Sequence, residues 1–235
     1  MKIYLHGTPN QVSELYKIFQ HKSAVAVLHD SSLATLPLDK YDVLIDASLD
    51  THPHTLRSYA GLAQTLVLAG STLMSLTDMV ARLDCPLQCA LAGFNNWQTF
   101  MERPLWELSF YTAPIRQQQQ QQTQTAVTNI GQKFDQIGIS YRQVADRVGL
   151  VTPRVIAMII NEAYFTLQEG TADKAGIDAA LKLGTNYPFG PFEWAERIGT
   201  RNIVSLLEAV YNDTHDERYK TCPLLKTEAL KTGVL

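Results

Sequence analysis

The chain has 235 residues, 46% hydrophobic and 18% charged, with a formal net charge of −3. That is enough apolar material for one large buried core or two modest ones. The absence of any dense Lys/Arg stripe argues against a nucleic-acid or anionic-membrane partner, because such partners are recruited by concentrated positive charge. The opening MKIYLHGTPNQ has neither the apolar core of a secretion signal nor the roughly 20 unbroken apolar residues of a membrane span, so a cytoplasmic location is expected. Cys85, Cys89 and Cys222 are odd in number and lack a second pair at ligand spacing, which indicates neither a disulfide framework nor a metal site.

The first hundred residues alternate β-branched runs with helical stretches. Strands are predicted at Lys2–Leu5, Ala24–Leu28 and Asp42–Ile45, with a helix from about Gln11 to Gln20. This rhythm predicts βα units around a parallel sheet. Thr65–Ala69 reads as a further buried strand, and Ser75-Leu76-Thr77-Asp78 as the capped start of a short helix. Cys89–Ala92 and Trp106–Phe110 read as strands near the sheet edge. Six glutamines, Gln117–Gln122, lead into apolar positions at Ala126, Ile130, Phe134 and Ile137. Such a tract is either disordered or the polar face of a helix that Gly138 stops, and the 3.6-residue spacing favours the helix. From about Tyr141 the pattern is helical: Val155–Glu169, Asp173–Leu183 and Asn202–Tyr211, broken by Pro188, Gly190 and Pro191. The run Val155, Ile156, Met158, Ile159, Ile160 is apolar nearly all round and so asks for burial on several sides, as a helical dimer would provide.

The most specific stretch is Glu162–Gly199, where Ile177, Asp178, Ala180, Lys182, Leu183, Gly184, Tyr187, Pro188, Gly190, Pro191, Phe192 and Glu193 spell IDxAxKLGxxYPxGPFE. Gly184 is expected to end a helix in the left-handed conformation, Pro188 and Gly190 to fix a turn, and Pro191 to open the next helix. This stretch, with Cys222-Pro223-Leu224-Leu225 after it, resembles the C-terminal domain of the 3-hydroxyacyl-CoA dehydrogenase family. YDVLIDAS (Tyr41–Ser48) and LAGSTLMSLTDMVA (Leu68–Ala81) resemble N-terminal stretches of the same family. The resemblance implies a Rossmann-like α/β domain at 1–112 with a degenerate nucleotide-binding loop, a Gln-rich connecting helix at 113–140, and an all-α dimerisation and substrate domain at 141–235. It further implies NAD as cofactor, an acyl-CoA-like ligand from fatty acid metabolism, and a homodimer formed through the C-terminal helices.

The family's functional residues map unevenly. A dinucleotide loop wants G-x-G-x-x-G after the first strand; here Gly7 holds the first place, but Pro9 and Val12 hold the second and third, removing an N–H donor and adding a branched side chain. Asp30 stands where a ribose-binding carboxylate would, or is a loop residue, and Asp46 corresponds to an acidic residue of the family. By resemblance the chemistry needs a His to exchange a proton with the 3-hydroxyl, a Glu to orient it, and Ser and Asn groups on the substrate oxygen. Aligning through Phe94 and Asn95 puts Ala92 at the His, which cannot transfer a proton. Glu107 resembles the Glu, Thr72 (less well Ser71) keeps the Ser hydroxyl, and Met158 stands at the Asn.

His6, His29, His52 and His54 lie at or just beyond the carboxyl ends of predicted strands, where an open α/β sheet binds ligands. They form either a replacement site for a phosphate or a metal, or ordinary polar loops. The sequence therefore supports three readings: a divergent dehydrogenase with Asp30, Thr72 and Glu107 as surviving site residues, a non-catalytic dimeric ligand- or partner-binding paralogue, or a chain completed by a second, full-length one.

Overall fold

The computed structural model describes residues 1–20, 37–112, 131–136 and 138–232, together with the backbone of 26–29. The chain divides into two compact units, Met1–Leu150 and Val151–Leu235.

The first unit runs β1 (Lys2–His6), α1 (Pro9–Phe19), β2 (Ala26–His29), β3 (Val43–Asp46), α2 (Leu56–Tyr59), β4 (Leu66–Gly70), α3 (Leu76–Ala81), β5 (Ala90–Phe94), β6 (Leu105–Phe110), a helical stretch α4 (131–136) and β7 (Ser140–Gln143). Among the described residues the strands form a seven-stranded sheet of order β2-β1-β3-β4-β5-β6-β7. All its pairs are parallel except β5 with β6. β3 and β4 are buried at every position, as parallel strands covered on both faces must be. Alternation sends Ile3, Leu5, Ile45, Leu68, Ala92 and Phe94 to one face with Leu15, Phe19 and Phe134. Tyr4, Leu44, Val67 and Leu91 go to the other, with Tyr59 and Leu76. β2 and β3 flank β1 on opposite sides, so the strand order reverses between β1 and β3 and opens a crevice beyond their carboxyl ends.

The expected strands are present with ends shifted by one or two residues, and Ser75 caps α3 by accepting from Asp78 N. The sequence did not suggest β7. Ser140–Gln143 has no buried position, so no apolar alternation marks it, yet it pairs in parallel with β6. The α/β unit therefore extends to Leu150, and 141–150 belongs to it rather than to the helical domain. The Gln117–Gln122 tract and Asp30 lie outside the described residues.

The second unit packs α5 (Thr152–Gln168), α6 (Lys174–Thr185), α7 (Pro191–Ile198), α8 (Thr200–Thr214) and α9 (Pro223–Lys231) around buried Ile160, Tyr164, Trp194, Ile203, Leu206 and Leu225. α6 ends one residue past its expected glycine: Gly184 is helical, and Asn186 takes the left-handed conformation at φ 56°, which Asn tolerates better than most side chains.

Gly190 is required by close approach, since a β-carbon there would run into the Asp178 side chain. Asp178 accepts from Phe192 N at 2.8 Å and Glu193 N at 3.3 Å, supplying α7 with an N-terminal cap from a neighbouring helix. Glu193 accepts in turn from Gly190 N at 3.0 Å and Lys182 Nζ at 2.8 Å. Asp178, Lys182, Gly190 and Glu193 of the signature are thus one hydrogen-bonded joint. Asp178→Ala should cost about 1 kcal/mol of stability, the usual value of a cap, read as a lowered midpoint in urea denaturation; an unchanged midpoint would mean that the joint is held by packing alone.

Candidate functional site

Register brings His6 and Asp46, the last residues of β1 and β3, side by side at the reversal point. Asp46 has no exposed surface. Its carboxylate accepts from His6 Nδ1 at 3.0 Å, Tyr59 Oη at 2.9 Å, Ser48 Oγ at 2.7 Å and Ser48 N at 2.9 Å. Burial alone would push this carboxyl up, but the hydrogen bonds from His6 and Ser48 outweigh it and leave the group below its ordinary range. The same bond raises the His6 imidazole above its ordinary value against the opposing effect of burial. Tyr59, buried against this carboxylate, stays protonated far above the usual phenol range. His6 keeps 18% of its side-chain surface accessible, and Nε2 is the ring nitrogen that Asp46 does not engage.

The loop after β1 turns at Gly7, whose φ of 147° favours glycine. Thr8 then caps α1, with Pro9 at the first helical turn. Gln11 lies back across this loop. Its Oε1 accepts from Thr8 N and Thr8 Oγ1, both at 3.0 Å, while its Nε2 donates to Ala47 O at 3.1 Å and Asn96 O at 3.2 Å. Gln11 N donates to Thr8 Oγ1 and Val12 N to Thr8 O. The amides of Thr8, Gln11 and Val12, which such a loop could offer to an anion, are therefore used within the chain. Gln11 was missed by the sequence reading, although Thr8-x-x-Gln11 has capping-box spacing.

Beyond β3 and β4, buried Asp50 accepts from Leu73 N at 3.0 Å and from Asn96 Nδ2 at 3.1 Å to each oxygen. Burial pushes its carboxyl up to about 6. Asn96 also donates through Nδ2 to Ala47 O at 2.7 Å and through its amide to Thr72 Oγ1 at 3.4 Å. Thr72, buried and within this network, accepts from Gly149 N through its carbonyl at 2.8 Å. Asp50 and Asn96 carried no sequence signal of their own.

Ala92 and Glu107 lie on opposite faces of the sheet. Ala92 points into the core with Phe94, Leu108 and Phe110, whereas Glu107 shares the other face with Ser109, the cross-strand partner of Gly93. A side chain at Gly93 would meet Ser71 Oγ and Ser109 Oγ, and Ser71 Cβ at 2.9 Å. A side chain at position 93 would therefore need Ser71 and Ser109 to shift. Of the rim histidines, His52 and His54 are exposed with rings 6.0 Å apart, His6 is tied to Asp46, and only the backbone of His29 is described. Among the described residues no group of three or more His, Cys, Asp or Glu is arranged to hold a metal. In the second unit Met158 lines an open apolar groove of about 900 Å³ with Val155, Ile159, Ile177 and Leu181.

A parallel sheet with a reversal point, followed by a separate helical unit, defines a Rossmann-like α/β protein with an all-α C-terminal domain. Residues 149–233 match the family "3-hydroxyacyl-CoA dehydrogenase, C-terminal domain". Curated relatives include 3-hydroxyadipyl-CoA dehydrogenase of Escherichia coli K12, 44% identical over 97 residues, which are 41% of this chain and 20% of that protein. A 3-hydroxybutyryl-CoA dehydrogenase of Bradyrhizobium diazoefficiens is 29% identical over 69% of this chain and 52% of its own length. The chain thus matches about half of the latter relative and a fifth of the former. Among solved structures, FadB2 of M. tuberculosis superposes with a TM-score of 0.78 at 14% identity, covering 98% of this chain and 93% of that one. (S)-3-hydroxybutyryl-CoA dehydrogenase of Ralstonia eutropha gives 0.73 at 19% identity, covering 98% and 94%. Residues 149–233 are thus similar to the C-terminal domain of 3-hydroxyacyl-CoA dehydrogenases, and the solved structures share the fold of the chain.

A dinucleotide pyrophosphate would not be met at this loop in the usual way: Pro9 has no N–H, and Gln11 takes up the Thr8 amide.

The two titrating groups of the crevice give stability opposite to the usual carboxylate trend. Between the ordinary carboxyl value of 3.8 and about 6, folded Asp50 holds a proton that the unfolded chain has released, so stability falls as pH rises through that window. The full change is about 3 kcal/mol. The His6–Asp46 contribution is complete below the ordinary histidine value of 6.5 and is lost as pH rises through the raised one. Asp50→Asn should flatten the acidic part of a Tm-against-pH curve and leave the neutral part; an unchanged acidic slope would assign it elsewhere.

Proposed function

We propose that this chain is a divergent 3-hydroxyacyl-CoA dehydrogenase-like protein of acyl-CoA metabolism, cytoplasmic and homodimeric, with little or no NAD-dependent oxidoreductase activity. The observation that carries the reading is at β5: position 92, where the family pattern has its His, is an alanine turned into the core, and Gly93 is closed over by Ser71 and Ser109. Losing such a base costs about 10² to 10⁴ in rate, and the self-occupied loop weakens the cofactor's hold as well. Thr72 and Glu107 are the residues of this reading that remain from the catalytic set, and Gly7, Asp30 and Asp46 those from the cofactor set. A non-catalytic ligand- or partner-binding paralogue is the second reading, favoured by Gln11 lying across the loop.

With acetoacetyl-CoA and NADH the protein should show no turnover above a trace, and Ala92→His should restore none, because position 92 faces the core; turnover at ordinary enzyme rates of about 1 to 10³ s⁻¹ would overturn the reading. Thermal denaturation separates the ligands, since one present at about 100 times its dissociation constant stabilises the fold by roughly 2.7 kcal/mol. A shift with acetyl-CoA and none with NADH or NAD is expected.

The homodimer rests on the outer face of α5 and α6, where Val151, Val155 and Leu183 are exposed beside the apolar groove. Val155→Glu should convert a dimer into a monomer in mass measurements at dilute concentration; a wild-type monomer would remove the dimer from the proposal.

A further inference from the structure

The connection from β5 to β6 is held in a conformation that its own residues do not favour. Thr99 has φ 70°, in the left-handed region that a β-branched side chain avoids, and such a conformation persists only where the surroundings impose it. Here α1 holds the connection at two points one turn apart. Gln11 Nε2 donates to Asn96 O at 3.2 Å, and Glu14 Oε2 accepts from Thr99 N at 3.2 Å, with the amides of Glu102 and Met101 turned to the same carboxyl. Glu14 is buried, and its Oε1 has no partner among the described residues. Trp97, Phe100 and Met101 of the loop are buried as well. Burial, the largest influence on Glu14, and the nearby Glu102 favour the neutral carboxyl, the loop amides favour the charged one, and the balance leaves the group above its ordinary value of 4.5. The other described groups around it do little to offset this. β1 brings the apolar Ile3 and Leu5 to the same cluster as α1, Lys17 pairs with Glu102 at 3.9 Å on the surface, and Arg103 lies over the Phe100 ring at 4.6 Å.

We propose that Glu14 is a proton-operated latch on the β5–β6 loop: with its proton it holds the loop shut against α1, and its ionisation lets the loop open and uncover Trp97 and Phe100. An ionised Glu14 under the closed loop is a buried charge with one oxygen unpaired. Opening hydrates that oxygen and lets Thr99 leave the left-handed region, so both sources of strain are relieved by one movement. The closed loop binds the proton more tightly than an open, solvated one does. Closure is therefore most favoured below the ordinary value of 4.5 and weakens as pH rises through the raised one. The latch is separate from the acyl-CoA reading and stands or falls without it.

The test is acrylamide quenching of tryptophan fluorescence in the whole protein, from acid to neutral pH. Quenching should rise with pH, with a midpoint above 4.5. Trp97→Phe should lose that rise, which assigns it to the loop rather than to Trp106 or Trp194. Glu14→Gln, neutral at every pH and still able to accept from Thr99 N, should keep quenching low throughout. Asp50, which Asn96 reaches from the start of the same connection, titrates at about 6, and Asp50→Asn should keep the rise. Quenching that does not change with pH in the wild type overturns the proposal. So does a rise that persists in Trp97→Phe or Glu14→Gln, or one that disappears in Asp50→Asn. If Glu14→Gln does not fold, ¹³C NMR of the Glu14 carboxyl in the wild type decides: a midpoint shared with the quenching curve supports the latch, and a different one overturns it.

Discussion

A carboxylate with no access to water has to be solvated by the protein, and Asp46 is solvated by two neutral hydroxyls, a backbone amide and an imidazole. Breaking up this set would leave an uncompensated buried charge, a loss several times larger than an ordinary surface contact. The end of β3, the short helix carrying Tyr59, the turn at Ser48 and the ring of His6 are therefore fixed together. Parallel pairing makes this possible, because equal register puts the last residue of β1 beside the last residue of β3. The crevice of the fold and its polar lining are in this sense one feature.

The loop next to this cluster is held by bonds within its own chain. Gly7 still makes the turn and α1 still starts two residues later. Gln11 supplies both the acceptor for the Thr8 amide and the donors for Ala47 O and Asn96 O, so the loop is satisfied by its own chain. Asn96 passes the same connection on to Asp50 and Thr72. At β5, Gly93 allows Ser71 and Ser109 to approach the strand closely.

The helical unit has kept its pattern for a different reason. Asp178, Lys182, Gly190 and Glu193 belong to one joint in which every charged group is used for capping or pairing, so any single replacement leaves an amide or a charge without its partner. Such a joint is retained for as long as the two helices pack, whatever chemistry occurs elsewhere. The family model's match, residues 149–233, includes this joint.

The sequence by itself determined the class of each unit and the positions of most elements, because βα alternation, capping residues and the Gly-Pro signature act within a few residues of one another. It also raised the expectation, from the family pattern, that Pro9 and Ala92 stand where an amide donor and a proton carrier would be. It did not give β7, whose exposed edge position leaves no apolar alternation, or the end of α6, where Asn186 rather than Gly184 takes the left-handed turn. Tertiary structure alone decided that His6 meets Asp46, that Gln11 crosses the loop to reach Ala47 and Asn96, and that Ala92 and Glu107 face away from each other. Each of these depends on strand register and on the face a side chain takes, and a shift of one residue in pairing would reverse every one of them.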